Sequence, residues 1–204
     1  MIRTLTVLVA AAALSGCAHE INIRNAARYH NAGLAAEQAG DYNLAERDYF
    51  RALINFRDGG APEADLSMEI YNLGRMEGYN CKYDQAKGHL GEALAMEERL
   101  SGPESKFTTK RLFELARLAY DRGEYGDAAT YYARGIPAAQ KRGIEQSDPG
   151  TLADALDEYA AALRQSGQAD SATRAAAEAS SVRAAHPGAS AKYNFVRYTQ
   201  PCGR

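Results

Sequence analysis

The feature that most constrains this chain is a phrase it repeats. AGDYNLAERDYFRAL (residues 39–53), NCKYDQAKGHLGEAL (80–94) and RGEYGDAATYYARGI (122–136) align without a gap. Tyr42, Tyr83 and Tyr125 are each followed three residues later by Ala45, Ala86 and Ala128, and four further on by Tyr49, Leu90 and Tyr132. A fainter copy, SGQADSATRAAAEAS (166–180), keeps Ala172, Ala176 and Ala179. Before each copy lies a second amphipathic stretch: YHNAGLAAEQ, IYNLGRMEG, LFELARLAYDR and LDEYAAALRQ. Self-similarity at a fixed period of this size implies one supersecondary unit stacked on its own copies, because each unit alone leaves an apolar face uncovered. Small residues three or four positions from an aromatic let two helices approach while the ring fills the gap between them. Each unit is therefore expected to be two helices joined by a tight turn.

Punctuation agrees with that division. Gly40, Gly123 and Gly167 recur at the turn, and Cys81 takes the same place in the second unit. Pro62, Pro103, Pro149 and Pro187 stand where a helix should stop or its successor begin. Pro137 does not: it falls inside the second helix of the third unit, where a kink or an early end is expected. Alanine is used heavily and tryptophan is absent, which favours close helix packing.

These residues resemble the tetratricopeptide repeat (TPR) family, in particular the longer units of about 42 residues found in kinesin light chains. Ile70, Leu73-Gly74, Tyr83, Ala86, Leu90 and Ala93 carry the likeness most fully. The resemblance implies an all-α fold, a right-handed α-solenoid of about four helix-turn-helix units, at 26–61, 65–102, 106–146 and 150–186, followed by a tail, 187–204. It also implies that the first helix of each unit lines a concave surface, a natural seat for a peptide or helix of a partner. The inward positions are then His30, Tyr71, Asn72, Arg75, Tyr79, Lys110, Phe113, Arg117 and Tyr120. Read in isolation this set is cationic and aromatic, suited to an acidic or C-terminal segment held by charge-assisted hydrogen bonds and stacking. The carboxylate clamp of some TPR domains is matched only at Asn72 and Lys110, with His30, Leu34 and Glu114 at its other places. The tail, with Tyr193, Phe195 and Tyr198, is expected to cap the last unit; docking on a partner is the alternative.

The N-terminus poses a separate question. After Arg3 comes an apolar run that ends in Leu14-Ser15-Gly16-Cys17. A basic start, a short apolar core and small residues make a secretory leader, and the run is too short for the roughly 20 residues a spanning helix needs. Leu-Ser-Gly-Cys resembles the bacterial lipobox, which implies acylation of Cys17, cleavage after residue 16, and a lipidated linker over 17–25. In such lipoproteins an aspartate after the cysteine tends to retain the product at the inner membrane. Ala18 stands there instead, so the expected address is the periplasmic face of the outer membrane. Cys81 and Cys202 are the two remaining cysteines; export permits a disulfide, and two free thiols are the default expectation.

Composition and motifs exclude other classes. A net charge of −2 carries no basic stripe for nucleic acid. No phosphate-binding GxxxxGK[ST], GxSxG elbow, HExxH or CxxC is present, and His19, His30, His89 and His186 are too scattered for metal-ligand spacing along one element. The expectation is a non-enzymatic scaffold or adaptor without cofactor or metal, held at the membrane by lipid and binding other envelope proteins in assembly of a pilus, secretion or envelope-enzyme machine. The alternative is recognition of a non-protein envelope ligand such as peptidoglycan by the same surface.

Overall fold

The structure is a computed structural model and describes residues 2–192, 197–199 and 202, with side chains from residue 19 onward. Within them the chain forms helices α1 (Ile2–Gln38), α2 (Tyr42–Asp58), α3 (Glu63–Tyr79), α4 (Tyr83–Ser101), α5 (Lys106–Asp121), α6 (Tyr125–Lys141), the short α7 (Ile144–Ser147), α8 (Pro149–Gln165) and α9 (Ala169–Ala185). The pairs α1/α2, α3/α4, α5/α6 and α8/α9 are antiparallel hairpins, and each hairpin packs on the next through α2 with α3, α4 with α5, and α6 with α8. This is an α-solenoid of four helix hairpins.

The four turns within the hairpins are built alike. At Gly40, Cys81, Gly123 and Gly167 the backbone is left-handed, with φ of 76°, 66°, 79° and 81°. The next N–H, that of Asp41, Lys82, Glu124 or Gln168, reaches back to the carbonyl of Ala36, Glu77, Ala119 or Leu163 at 2.8 to 2.9 Å. That is the Schellman closure, which satisfies carbonyls that the helix end leaves without a partner. Cys81 adopts the conformation that glycine adopts in the other three, at a steric cost glycine avoids.

Packing within the hairpins follows the repeated residues. Ala45, Ala86 and Ala128 are fully buried, with Ala172 nearly so. Tyr49 sits over Gly33 and Leu90 over Gly74, each so close that a Cβ on the glycine would lie 2.9 to 3.0 Å from the neighbouring side chain. In the third hairpin Ala116 takes the small position and shares a core cluster with Tyr132. The apolar interior then continues through Leu152, Leu156, Ala179 and Val182 of the fourth hairpin.

Three expectations are altered. Pro137 does not end its helix, because α6 runs four residues beyond it; its ring lies on the exposed side, away from the buried face. Cys81 and Cys202 are not free thiols but a disulfide, with Cα atoms 5.9 Å apart. The tail does more than cover the last unit. Ser190 and Ala191 lie over Gly150 at the start of α8, Lys192 donates to the Ser147 carbonyl, and Arg197 and Tyr198 lie between α3 and α5. Tyr193 and Phe195 fall outside the described residues. The stretch 17–25 is helical, and Ile23 lies against Gly59 at the end of α2. Cys17 belongs to α1, and its side chain lies outside those described.

Candidate functional site

Residues spaced three or four apart share a helix face, so α3 presents Tyr71, Arg75 and Tyr79 in one row and α5 presents Lys110, Glu114, Arg117 and Asp121 in another. With Glu37 of α1 and Glu158 of α8, these rows meet on the inner face of the stack. Arg75 pairs with Glu37 at 2.5 Å and lies 4.0 Å from Glu114. Arg117 pairs with Glu158 at 3.1 Å. Tyrosine hydroxyls donate to the same carboxylates: Tyr49 to Glu37, Tyr71 to Glu114 and Tyr132 to Glu158. An alternating ladder of acid, base and phenol thus ties the four first helices together.

Burial makes these interactions strong. Glu114 and Arg117 are 1% and 3% exposed, and charges this far from water persist only when paired. Burial first, and the Glu114 charge second, drive the Tyr71 and Tyr198 phenols well above their ordinary value, so both remain hydrogen-bond donors. For Arg75, burial pulls the guanidinium down, but Tyr71, Glu114 and Glu37 outweigh it and the net direction is upward.

The nine inward positions therefore divide. Tyr71, Asn72, Tyr79, Phe113 and Arg117 are buried. Tyr79 lies between the rings of Tyr42 and Tyr198, with centroids 4.6 and 4.7 Å away. Phe113 packs on Gly135 and Tyr132. Half-buried Tyr120 carries the Arg197 guanidinium at 4.9 Å from its centroid. His30 pairs with Glu69 of α3 rather than joining the ladder. Lys110 is exposed, with its ammonium over the Tyr71 ring.

Glu37 and Glu114 are legible from the sequence as inward positions, Glu114 at a place of the carboxylate clamp; that they oppose the inward cations, together with Asp121 and Glu158, is not. Counting only inward cations makes the centre look positive. With the acids in place, Arg75 and Arg117 face three carboxylates, Glu37, Glu114 and Glu158, and the tail's Arg197 pairs with Asp121 and approaches Glu158. The signal is the i, i+3, i+7 spacing of Glu114, Arg117 and Asp121 along α5.

Positive charge collects instead at one end of the face. Between the N-terminal halves of α5 and α8 lies a cavity of about 650 Å³, lined by Lys106, Lys110, Arg142 and Lys192 with Phe107 and Phe113. Its one acid, Asp148, is occupied in capping α8 through the Thr151 N–H. Phe107 is the most exposed of the large apolar side chains described, at 58%.

Two histidines outside the ladder give the fold a pH dependence. Hydrogen bonding to Glu69 raises the His30 pKa against the opposing effect of burial, with Asp65 adding to it. Glu77 does the same for His89, with Glu92 adding and Arg57 opposing. Burial also raises the Glu69 pKa, in the same direction. A group whose folded pKa is raised contributes stability that is complete below its unfolded value and is lost as pH rises through the folded one. Thermal unfolding should accordingly fall in midpoint as pH climbs from the ordinary histidine value of 6.5, and the double change His30→Asn with His89→Asn should flatten the profile.

Four stacked hairpins with a continuous inner face define the class: a TPR-type α-solenoid. Residues 66–141, from α3 through α6, match the tetratricopeptide repeat family. Among solved structures the chain is similar to BtubC (BKLC) from P. vanneervenii, with TM-score 0.75 and 22% identity over 84% of this chain and 68% of that one. It is similar also to a putative kinesin light chain of P. anserina with nearly identical TPR-like repeats, with TM-score 0.69 and 16% identity over 78% and 75%. Aspartyl phosphate phosphatase F from Bacillus subtilis follows, with TM-score 0.53 and 16% identity over 86% of this chain and 53% of that one. At these identities the likeness is one of fold. No curated protein matches the sequence.

Proposed function

We propose that this chain is a lipid-anchored, periplasm-facing scaffold of the outer membrane that recruits envelope proteins through its concave face, in assembly of a pilus, secretion or envelope-enzyme machine. The observation that carries this reading is the cationic, partly apolar cavity between α5 and α8. Its size suits one or two side chains of a bound segment, and its four cations favour an acidic one. Support for the address comes from Leu14-Ser15-Gly16-Cys17 followed by Ala18. Among the described residues no helix is long and apolar enough to cross a membrane. Acyl chains on Cys17 would supply anchoring at about 0.8 kcal/mol per buried CH2.

A photo-crosslinking residue at Phe107, which is exposed at the cavity mouth, should capture an envelope protein through an acidic stretch identifiable by mass spectrometry. Reversing Lys106 and Lys110 to glutamate should reduce that capture about tenfold or more, since like charge across an interface costs several kcal/mol. Capture indifferent to the reversal would remove the cavity from the account, and capture of peptidoglycan fragments instead would favour a non-protein ligand. Arg75 is unsuitable for such a test because it is tied into the ladder by Glu37 and Glu114. For the anchor, Cys17→Ser should move the protein from the membrane to the soluble fraction, and mass spectrometry of the wild-type N-terminus should find an acylated cysteine. A soluble wild type or an unmodified Cys17 would overturn the lipidated reading.

A further inference from the structure

The centre of the inner face already holds a ligand, and that ligand belongs to the chain itself. Tyr198 is fully buried although it lies beyond the last helix. Its hydroxyl donates to Glu114, its N–H donates to Asp121 at 2.9 Å, and its ring lies tilted against Tyr79 with centroids 4.7 Å apart. Arg197 pairs with Asp121, approaches Glu158 at 3.7 Å and covers the Tyr120 ring. The floor of the seat is Gly78, where a Cβ would come within 2.4 Å of the Tyr198 ring. Gly78 is in ordinary helical conformation, not among the glycines with positive φ. Its lack of a side chain is therefore explained by the ring above it and not by the backbone.

The far end of the segment is fastened. Cys202 is bonded to Cys81, which alone among the four left-handed turn positions is not glycine. A position that glycine fills without strain elsewhere thus carries the side chain that holds the tail covalently. A segment tethered at both ends has a high effective concentration over its site and resists displacement; released at one end, it keeps a single tether and a lower effective concentration, so an incoming segment can displace it more readily.

We propose that this seat is a recognition site for an arginine-tyrosine segment of a protein partner, occupied in cis by Arg197 and Tyr198, and that the Cys81–Cys202 disulfide determines whether an incoming segment can enter. A dithiol opens it. One thiolate of the dithiol attacks a sulfur of the pair, the S–S bond breaks, and closure of the dithiol to its own disulfide expels the second sulfur. Cys81 and Cys202 end as thiols, and the dithiol gives up two electrons and two protons. The site selects a basic, aromatic segment because three carboxylates, Glu114, Asp121 and Glu158, face the tail, and because the ring needs the gap over Gly78. It is separate in position and in charge from the cationic cavity.

The probe is a fluorescent synthetic peptide of residues 192–204 with serine in place of its cysteine, titrated against the full chain and followed by anisotropy. Binding should be at least about tenfold tighter to the dithiothreitol-reduced protein than to the oxidised one. Cys202→Ser, and Cys81→Gly, which gives the second turn the glycine of the others, should reproduce the reduced behaviour without any dithiol. In the Cys202→Ser chain, peptides carrying Arg197→Ala or Tyr198→Ala should bind about tenfold more weakly than the parent peptide. Equal affinity in the two redox forms, binding to neither form, or binding that ignores both peptide changes would each overturn the proposal. The redox comparison uses the unaltered chain, so it stands even where a variant folds poorly.

Discussion

Glu114→Ala should lower stability by about 3–5 kcal/mol, the range for breaking a buried charge pair from one side. Glu114 is 1% exposed, accepts the hydroxyls of Tyr71 and Tyr198, and lies 4.0 Å from Arg75. Alanine removes all of these at once and leaves half-buried Arg75 with Glu37 as its remaining carboxylate. For a domain of this size the loss corresponds to a fall of roughly 10 °C in thermal midpoint. Glu114→Gln keeps an acceptor for the phenols and should cost less. The check is denaturant unfolding followed by helical circular dichroism. A Glu114→Ala protein as stable as the parent would mean that the ladder contributes nothing to the stack.

Tyr132→Ala should be comparably severe, at about 3–5 kcal/mol, because it empties a large site at the joint between the third and fourth hairpins. The ring is 1% exposed, lies 5.7 Å from Phe113 and 6.3 Å from Tyr159, and its hydroxyl donates to Glu158. Stability in a stacked-repeat protein is close to a sum of unit and nearest-neighbour terms. Loss at one joint should therefore split the unfolding transition, with α8 and α9 melting before the rest. Tyr132→Phe keeps the ring and forfeits only a hydrogen bond to a charged group, about 1.5–3 kcal/mol. A single unsplit transition for Tyr132→Ala would show that the hairpins couple over longer range than adjacent contacts allow.

Much of the scaffold could be read from spacing alone. Gly-x-Tyr-x-x-Ala in phase marks turn, helix start and buried contact together, so the hairpins followed from residues such as Tyr42, Ala45 and Tyr49. Even Cys81 is legible as a turn residue, since its phase with Gly40 and Gly123 is unbroken. Pro137 misled because the penalty for an interior proline, although real, can be absorbed where the ring faces solvent and the rest of the helix is held by packing. The inner face misled for a different reason. Its cations stand out along α3 and α5, while the acids opposing them come from α1, α5 and α8 and meet the arginines only when the hairpins stack.

By itself, then, the sequence determined the architecture: local periodicity sets which residues of a helix share a face, and a repeated face must be covered by its own copy. Only the tertiary structure decided what the inner face carries. Whether Arg75 is an open cation or a partner of Glu37, and whether Cys202 is a free thiol or the fastening of a tail drawn across the groove, depends on residues 38 and 121 positions apart. Their separation in space follows from hairpin stacking and the path of the tail, neither of which leaves a period in the chain.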